Sequence, residues 1–116
     1  VLGCLRGDRF RGFASSGGIL YFELTNQNAP CVGAPAAWVN IGTGEGRDDR
    51  SQMRDFWRAR NGCDLGEPVG PDRANNPPCD AYTCSEQPMT YCSHDGGHEW
   101  PAFGNEAVVE FFLGLE

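Results

Sequence analysis

The sequence contains no lysine, only two histidines and no apolar run of membrane length. Its nine basic residues, all arginine, stand against 16 acidic residues and leave a net charge of −7. A chain this acidic lacks the basic footprint that nucleic-acid binding requires, so we expect no nucleic-acid partner. A membrane span needs about 20 consecutive apolar residues, so we expect no membrane partner.

The chain also lacks the Gly-x-Ser-x-Gly motif, which places the nucleophilic serine of many hydrolases on a sharp turn. It has no signal-peptide pattern and begins with Val1 instead of methionine. We therefore expect a processed or excised piece of a longer protein. The length suits one folded unit, and we expect residues 1–116 to form a single domain.

Cysteine, in contrast, is abundant for so short a chain. The number of cysteines is even, and their spacings do not form the paired C-x-x-C knuckles of zinc sites. We therefore predict three disulfides in a secreted protein and no metal site. The six cysteines are Cys4, Cys31, Cys63, Cys79, Cys84 and Cys92.

Apolar patterning predicts alternating strands and helices. Residues 36–41 form a continuous apolar run typical of a buried parallel strand, and residues 49–60 carry apolar side chains at helical spacing. Residues 19–24 fit a strand or a helix. This alternation indicates an α/β sheet with flanking helices. The other predicted elements are a helix end at 1–9, strands at 11–16, 81–84 and 89–92, a loop at 64–78 and a helix at 105–115. Asn61-Gly62 closes the helix at 49–60. Asn105 can cap the terminal helix, whose apolar face can be formed by Val108, Val109, Phe112 and Leu115.

The short strands at 81–84 and 89–92 flank a Ser-Glu-Gln-Pro turn and predict a hairpin. Such a hairpin would bring Cys79 close to Cys92. Six cysteines allow many pairings, and the spacing alone does not decide among them. If the hairpin forms, we expect the pairs Cys79–Cys92, Cys4–Cys31 and Cys63–Cys84.

His98 is a candidate general base. Gly96 and Gly97 precede it and let the backbone approach other groups closely, while Pro101 stiffens the exit of the loop. A histidine held in this way can present one ring nitrogen to a nucleophile and the other to a carboxylate. The simpler alternative is a loop histidine with an ordinary hydrogen bond.

Carboxylates follow the apolar strand at 36–41, where a hydrolase of the α/β type keeps its triad acid. Glu45 lies four residues beyond Ile41, and Asp48 follows closely. Either carboxylate could orient an imidazole, and either could be an ordinary solvated loop acid. Asp49 is better interpreted as the cap of the following helix.

Four segments together resemble the polyhydroxybutyrate depolymerase-like esterases, which include secreted feruloyl esterases and acetylxylan esterases. The resemblance extends over nearly the whole chain and includes a terminal helix with paired aromatics. It implies the carboxyl-terminal half of an α/β-hydrolase sheet, stapled by disulfides. The four segments are Asn61-Gly62-Cys63, Cys79-Asp-Ala-Tyr-Thr-Cys84, Met89-Thr-Tyr-Cys92 and Gly96-Gly97-His98-Glu99-Trp100-Pro101.

The resemblance implies a serine esterase without cofactor, in which His98 matches the general base. Where the family has His-Gly-x-x-Asp, this chain has Ile41 in place of the histidine and Glu45 in place of the acid, with Asp48 as second choice. The nucleophile would then lie before Val1, so the missing amino-terminal half is an implied partner. The implied substrates are feruloyl or acetyl esters on plant polysaccharide, or an aliphatic polyester.

Ser16 is an alternative nucleophile. Residues 14–18 read Ala-Ser-Ser-Gly-Gly, a variant of the nucleophile motif, and Ser16, Glu45 and His98 would then form a triad in the expected order. Against this interpretation, the segment aligns with the strand that follows the nucleophile helix in the family. The spacing of His94 and His98 could bind metal on a helix, but the glycines between them argue against a helix.

Trp100, beside His98, is the aromatic residue best placed to contact substrate. A second hypothesis follows from the missing serine and from Ile41. In it, the chain is a small non-catalytic, disulfide-rich domain that binds carbohydrate or another partner through exposed aromatics. A third is a nicked enzyme in which this chain remains docked to its amino-terminal partner.

Overall fold

The structure is a computed structural model, and it describes residues 2–18, 31–45, 50–63 and 79–115. Four predictions fall outside these ranges: the element at 19–24, the acid Asp48, the helix cap Asp49 and the loop at 64–78. The described residues form a mixed α/β fold with a four-stranded sheet.

The order of the elements follows the predicted alternation. The helices are α1 (Leu2–Leu5), α2 (Arg50–Arg60) and α3 (Gly104–Leu113), and short 3-10 turns lie at Gly7–Arg9 and Thr43–Glu45. The strands are β1 (Gly12–Ser16), β2 (Ala36–Gly42), β3 (Cys79–Tyr82) and β4 (Met89–His94).

The strands lie in the order β1-β2-β4-β3. The neighbours β1, β2 and β4 are parallel, and β3 runs antiparallel to β4 as the predicted hairpin. Because parallel strands end on the same side, the carboxyl ends of β1, β2 and β4 meet at one edge of the sheet. Ser16 there is in register with Asn40, and Gly42 with His94.

Strand β2 is buried along its whole length, as its continuous apolar run predicts. Its side chains alternate between the two faces of the sheet. On one face, Val39 belongs to a core with Met53 and Trp57 of α2. On the other face, Trp38 packs against side chains of α3. The sheet is therefore covered by α2 on one face and by α3 on the other.

Helix α2 ends where Asn61-Gly62 predicts. The amide of Cys63 donates to the Arg58 carbonyl, and the amide of Gly62 donates to the Ala59 carbonyl. This pair of bonds satisfies the last carbonyls of the helix and redirects the chain. The disulfide Cys63–Cys84 then fixes the end of α2 beside the turn between β3 and β4.

The expected disulfide pairing is confirmed. Cys79 and Cys92 are opposite each other in the hairpin and are bonded, and Cys4–Cys31 ties α1 to the segment before β2. All six cysteines are thus paired. None of the helices in the described part of the chain is long and apolar enough to cross a membrane.

Helix α3 differs from its prediction in two respects. Asn105, the expected cap, lies inside the helix, and the residue at the cap position is Phe103. The expected apolar face was Val108, Val109, Phe112 and Leu115. The residues that pack on the core are Phe103, Ala107, Val108 and Phe111.

Candidate functional site

The predicted catalytic segments follow adjacent strands at the carboxyl edge of the sheet. The turn Thr43–Glu45 comes directly after β2, and the loop at 95–101 comes directly after β4. The amide of Gly44 donates to the Gly96 carbonyl at 2.7 Å, which ties the turn to the loop. The structure therefore brings the backbone of Glu45 next to the segment that carries His98.

His98 is exposed, and its ring lies over the end of β1. Gly17 has a left-handed φ of +68°, and a Cβ added to it would lie 2.7 Å from Nδ1 of His98. A side chain at position 17 would therefore displace the histidine as well as strain the turn. The first glycine after the Ser15-Ser16 pair thus leaves the space that the ring occupies.

Ser16 lies within the site, as the last residue of β1. Its hydroxyl donates to the Glu99 carbonyl at 3.2 Å and accepts from Nδ2 of Asn40 at 2.9 Å. An activated serine directs its proton to a general base. The Ser16 proton is directed to a backbone carbonyl instead, so these contacts favour a structural role for Ser16.

Asn40 is the residue of the site that sequence analysis missed. It is fully buried, and its Nδ2 lies 2.9 Å from Ser16 Oγ and 3.0 Å from His94 Nδ1. The one signal for it is its polarity within the apolar run at 36–41. A buried amide in a core strand needs hydrogen-bond partners, although the sequence does not tell which ones.

His94 ends β4 and begins the His98 loop. Its Nδ1 faces the side-chain amide of Asn40, 3.0 Å from Nδ2 and 3.4 Å from Oδ1. Nε2 is buried, with no hydrogen-bond partner among the residues that the structure describes. A Cβ added to Gly96 would lie 3.0 Å from this nitrogen, so the loop folds back over the His94 ring.

Trp100 is 47% exposed and yet held in place. Its ring centroid lies 5.8 Å from that of Trp38, and its Nε1 donates to Oδ1 of Asn105 at 3.0 Å. A ring that is fixed by two neighbours and still accessible loses little entropy when it stacks on a ligand. This geometry suits the predicted role of Trp100 in substrate binding.

Two other features have no place in the candidate site. Within the described ranges, no group of three or more His, Cys, Asp or Glu side chains could hold a metal ion. A cavity of about 400 Å³ lies at the opposite, amino-terminal edge of the parallel strands. Its lining includes Asp8, Arg11, Pro35 and Gln87, and it lies at the opposite end of the strands from both histidines.

The candidate site thus consists of the loop at 95–101 (the His98 loop) and the turn Thr43–Glu45 (the Glu45 turn), which are in contact at the carboxyl edge of the sheet. Hydrogen bonds of Asn40 and Ser16 hold the loop. In comparison with known proteins, no protein-family model and no curated protein matches the chain.

Proposed function

We propose that this chain supplies the histidine and the acid of a secreted serine carboxylic-ester hydrolase similar to the polyhydroxybutyrate depolymerase-like esterases. The observation that carries the proposal is the contact between two loops at one sheet edge. The Glu45 turn follows β2, the His98 loop follows the neighbouring β4, and the Gly44 amide bonds the Gly96 carbonyl. Hydrolases of the α/β type place acid and histidine after late strands in this order.

In the proposed reaction, a serine attacks the ester carbonyl while His98 accepts its proton. His98 then protonates the leaving alcohol, and water hydrolyses the acyl-enzyme by the same route. Glu45 orients His98 and stabilises the imidazolium. The serine comes from outside these 116 residues, because the chain has no Gly-x-Ser-x-Gly motif and the Ser16 hydroxyl donates to the Glu99 backbone carbonyl.

The substrate class follows from the resemblance: feruloyl or acetyl esters on plant polysaccharide, or an aliphatic polyester. The exposed, fixed ring of Trp100 supports a substrate with an aromatic acid or a sugar beside the ester. Three disulfides support an extracellular location, since such bonds persist in oxidising compartments.

A fluorophosphonate probe, which modifies activated serines, tests where the nucleophile lies. Expressed from its complete reading frame, the protein should be labelled at a serine outside residues 1–116. The 116-residue chain alone should stay unlabelled and should not hydrolyse methyl ferulate or p-nitrophenyl acetate. Labelling of Ser16 in the isolated chain would overturn the assignment of the nucleophile.

The acid is tested by comparing Glu45→Gln with Asp48→Asn in the complete protein. Loss of the carboxylate that orients the histidine should lower kcat by roughly 10³–10⁴-fold, whereas loss of a loop carboxylate should change it little. We expect the large effect for Glu45→Gln. The reverse order would assign the role to Asp48, and two small effects would remove the acid from the proposal.

A second candidate function is carbohydrate binding without catalysis, and the geometry of Trp100 favours it. A fixed aromatic ring at the surface is a common platform for sugars. The chain should then be retained on insoluble xylan or cellulose, and Trp100→Ala should abolish retention. Phe10→Ala, which removes another exposed aromatic ring, is the matched control. Retention without esterase activity in the complete protein would select this function.

A further inference from the structure

The described sheet holds one fully buried amide between its parallel strands. Asn40 lies in the central strand β2, with β1 on one side and β4 on the other. Burying an amide is unfavourable unless its hydrogen bonds are made. Asn40 makes them to both neighbouring strands, at the edge where the His98 loop begins.

One arm of this arrangement reaches the start of the loop. Nδ2 of Asn40 lies 3.0 Å from Nδ1 of His94, the last residue of β4. The His94 ring in turn lies under the backbone of Gly96. This arm therefore fixes the chain on the amino-terminal side of His98.

The other arm reaches the far side of His98. Nδ2 of Asn40 donates to Ser16 Oγ at 2.9 Å, and Ser16 Oγ donates to the Glu99 carbonyl at 3.2 Å. Glu99 directly follows His98, and its amide also bonds the Gly97 carbonyl. The two arms enclose residues 95–98 in a ring of hydrogen bonds that starts and ends at Asn40.

We infer that Asn40 is the positioning residue for His98 and that Ser16 relays its effect. This inference rests on the proposed function for the role of His98. The chemistry fits asparagine because its amide donates to Ser16 while also facing the His94 ring, and a carboxylate at this position would have no hydrogen to donate to Ser16. It fits serine because one hydroxyl accepts from Asn40 and donates to Glu99.

Hydrogen exchange of single amides tests the ring of bonds. Gly44 and Glu99 are the reporters, because their amides bond to carbonyls of the loop. Both should exchange about tenfold faster in Asn40→Asp and in Ser16→Ala. Ser16→Thr keeps the hydroxyl and should restore the slow exchange. The amides of Asn61 and Cys63 at the end of α2 should not change.

Ser15→Ala is the matched control, since it removes the hydroxyl of the preceding residue, which faces away from the ring of bonds. If Asn40→Asp does not fold, the Ser16 pair still decides. Unchanged exchange of Gly44 and Glu99 in Ser16→Ala would overturn the inference.

The complete protein adds a kinetic readout. Loss of positioning should lower kcat by roughly 10–100-fold in Ser16→Ala with KM little changed, and Ser16→Thr should recover it. An active protein with faster exchange but unchanged kcat would overturn the positioning role. If the complete protein has no esterase activity, the proposed function is wrong. The exchange measurement would still decide whether Asn40 holds the loop.

Discussion

Gly42 and Gly97 face each other where the Glu45 turn meets the His98 loop, but the space around the two residues differs. A Cβ added to Gly42 would overlap the carbonyl oxygen of Gly97, whereas a Cβ added to Gly97 would meet nothing within 4 Å. Gly42→Ala should therefore lower the free energy of unfolding by about 1–3 kcal/mol, because the backbone must move to relieve the overlap.

Urea denaturation of both variants checks this difference. Gly97→Ala, the matched control, should stay within about 0.5 kcal/mol of the parent protein. Equal effects of the two substitutions would contradict the close approach of the two loops at Gly42.

Tyr82 should make stability depend on pH in the alkaline range. The side chain is buried in the core, and its ring lies 4.2 Å from the Arg58 guanidinium. Burial raises the pKa of the Tyr82 hydroxyl above its ordinary value. The folded protein thus favours the neutral phenol, so this contribution is fully present below pH about 10 and lost as the pH rises through the raised pKa.

Urea midpoints measured from pH 8 to pH 11 test this expectation. The midpoint should fall above pH about 10 in the parent protein and fall less in Tyr82→Phe, which has no hydroxyl to ionise. An absorbance titration of both proteins identifies the ionisation step that belongs to Tyr82. The same alkaline slope in both would assign the loss of stability to other groups.

For single residues, sequence patterns predict burial better than they predict hydrogen-bond partners. Asn40 is recognisable as a polar residue in an apolar run, but its partners Ser16 and His94 come from strands 24 and 54 residues away in the chain. Hydrogen bonds over such separations depend on the register of the strands, which the local sequence does not contain.

At the scale of elements, the strongest predictions come from strict patterns. Three such patterns each allow a single arrangement of the chain against the core. They are the apolar run of β2, the helical spacing of Met53 and Trp57, and the cysteine register of the hairpin. Helix α3 does not, because Val109 and Leu113 add exposed apolar side chains to its buried ones, so that apolar residues surround most of the helix. Its buried face is therefore chosen by contact with Trp38, which periodicity cannot predict.

The hairpin should depend strongly on its disulfide. Cys79 and Cys92 are 13 residues apart, and both are buried against Trp38. Replacing both with alanine should lower the free energy of unfolding by about 3 kcal/mol, because the unfolded chain regains the freedom of the closed loop. Urea denaturation of the double variant measures this loss. A loss below about 1 kcal/mol would mean that β3 and β4 are held mainly by packing.

At the scale of the whole molecule, topology brings the candidate site together. Parallel neighbours β1, β2 and β4 place Ser16, the Glu45 turn and the His98 loop at one edge, although these segments are far apart in the chain. The order of elements predicts this edge. The brace from Asn40 to both ends of the loop could not be predicted, since it depends on side-chain contacts between three strands.

We propose His98 as the general base of an ester hydrolase. The most direct test of this role is kcat/KM for methyl ferulate and p-nitrophenyl acetate, measured on the protein expressed from its complete reading frame. His98→Ala should lower kcat/KM by roughly 10³-fold or more, because a serine without its base is a poor nucleophile. Asp95→Asn, an exposed change in the same loop, should leave it within a few-fold of the parent protein. Equal activity of His98→Ala and the parent protein would show that His98 is not the general base.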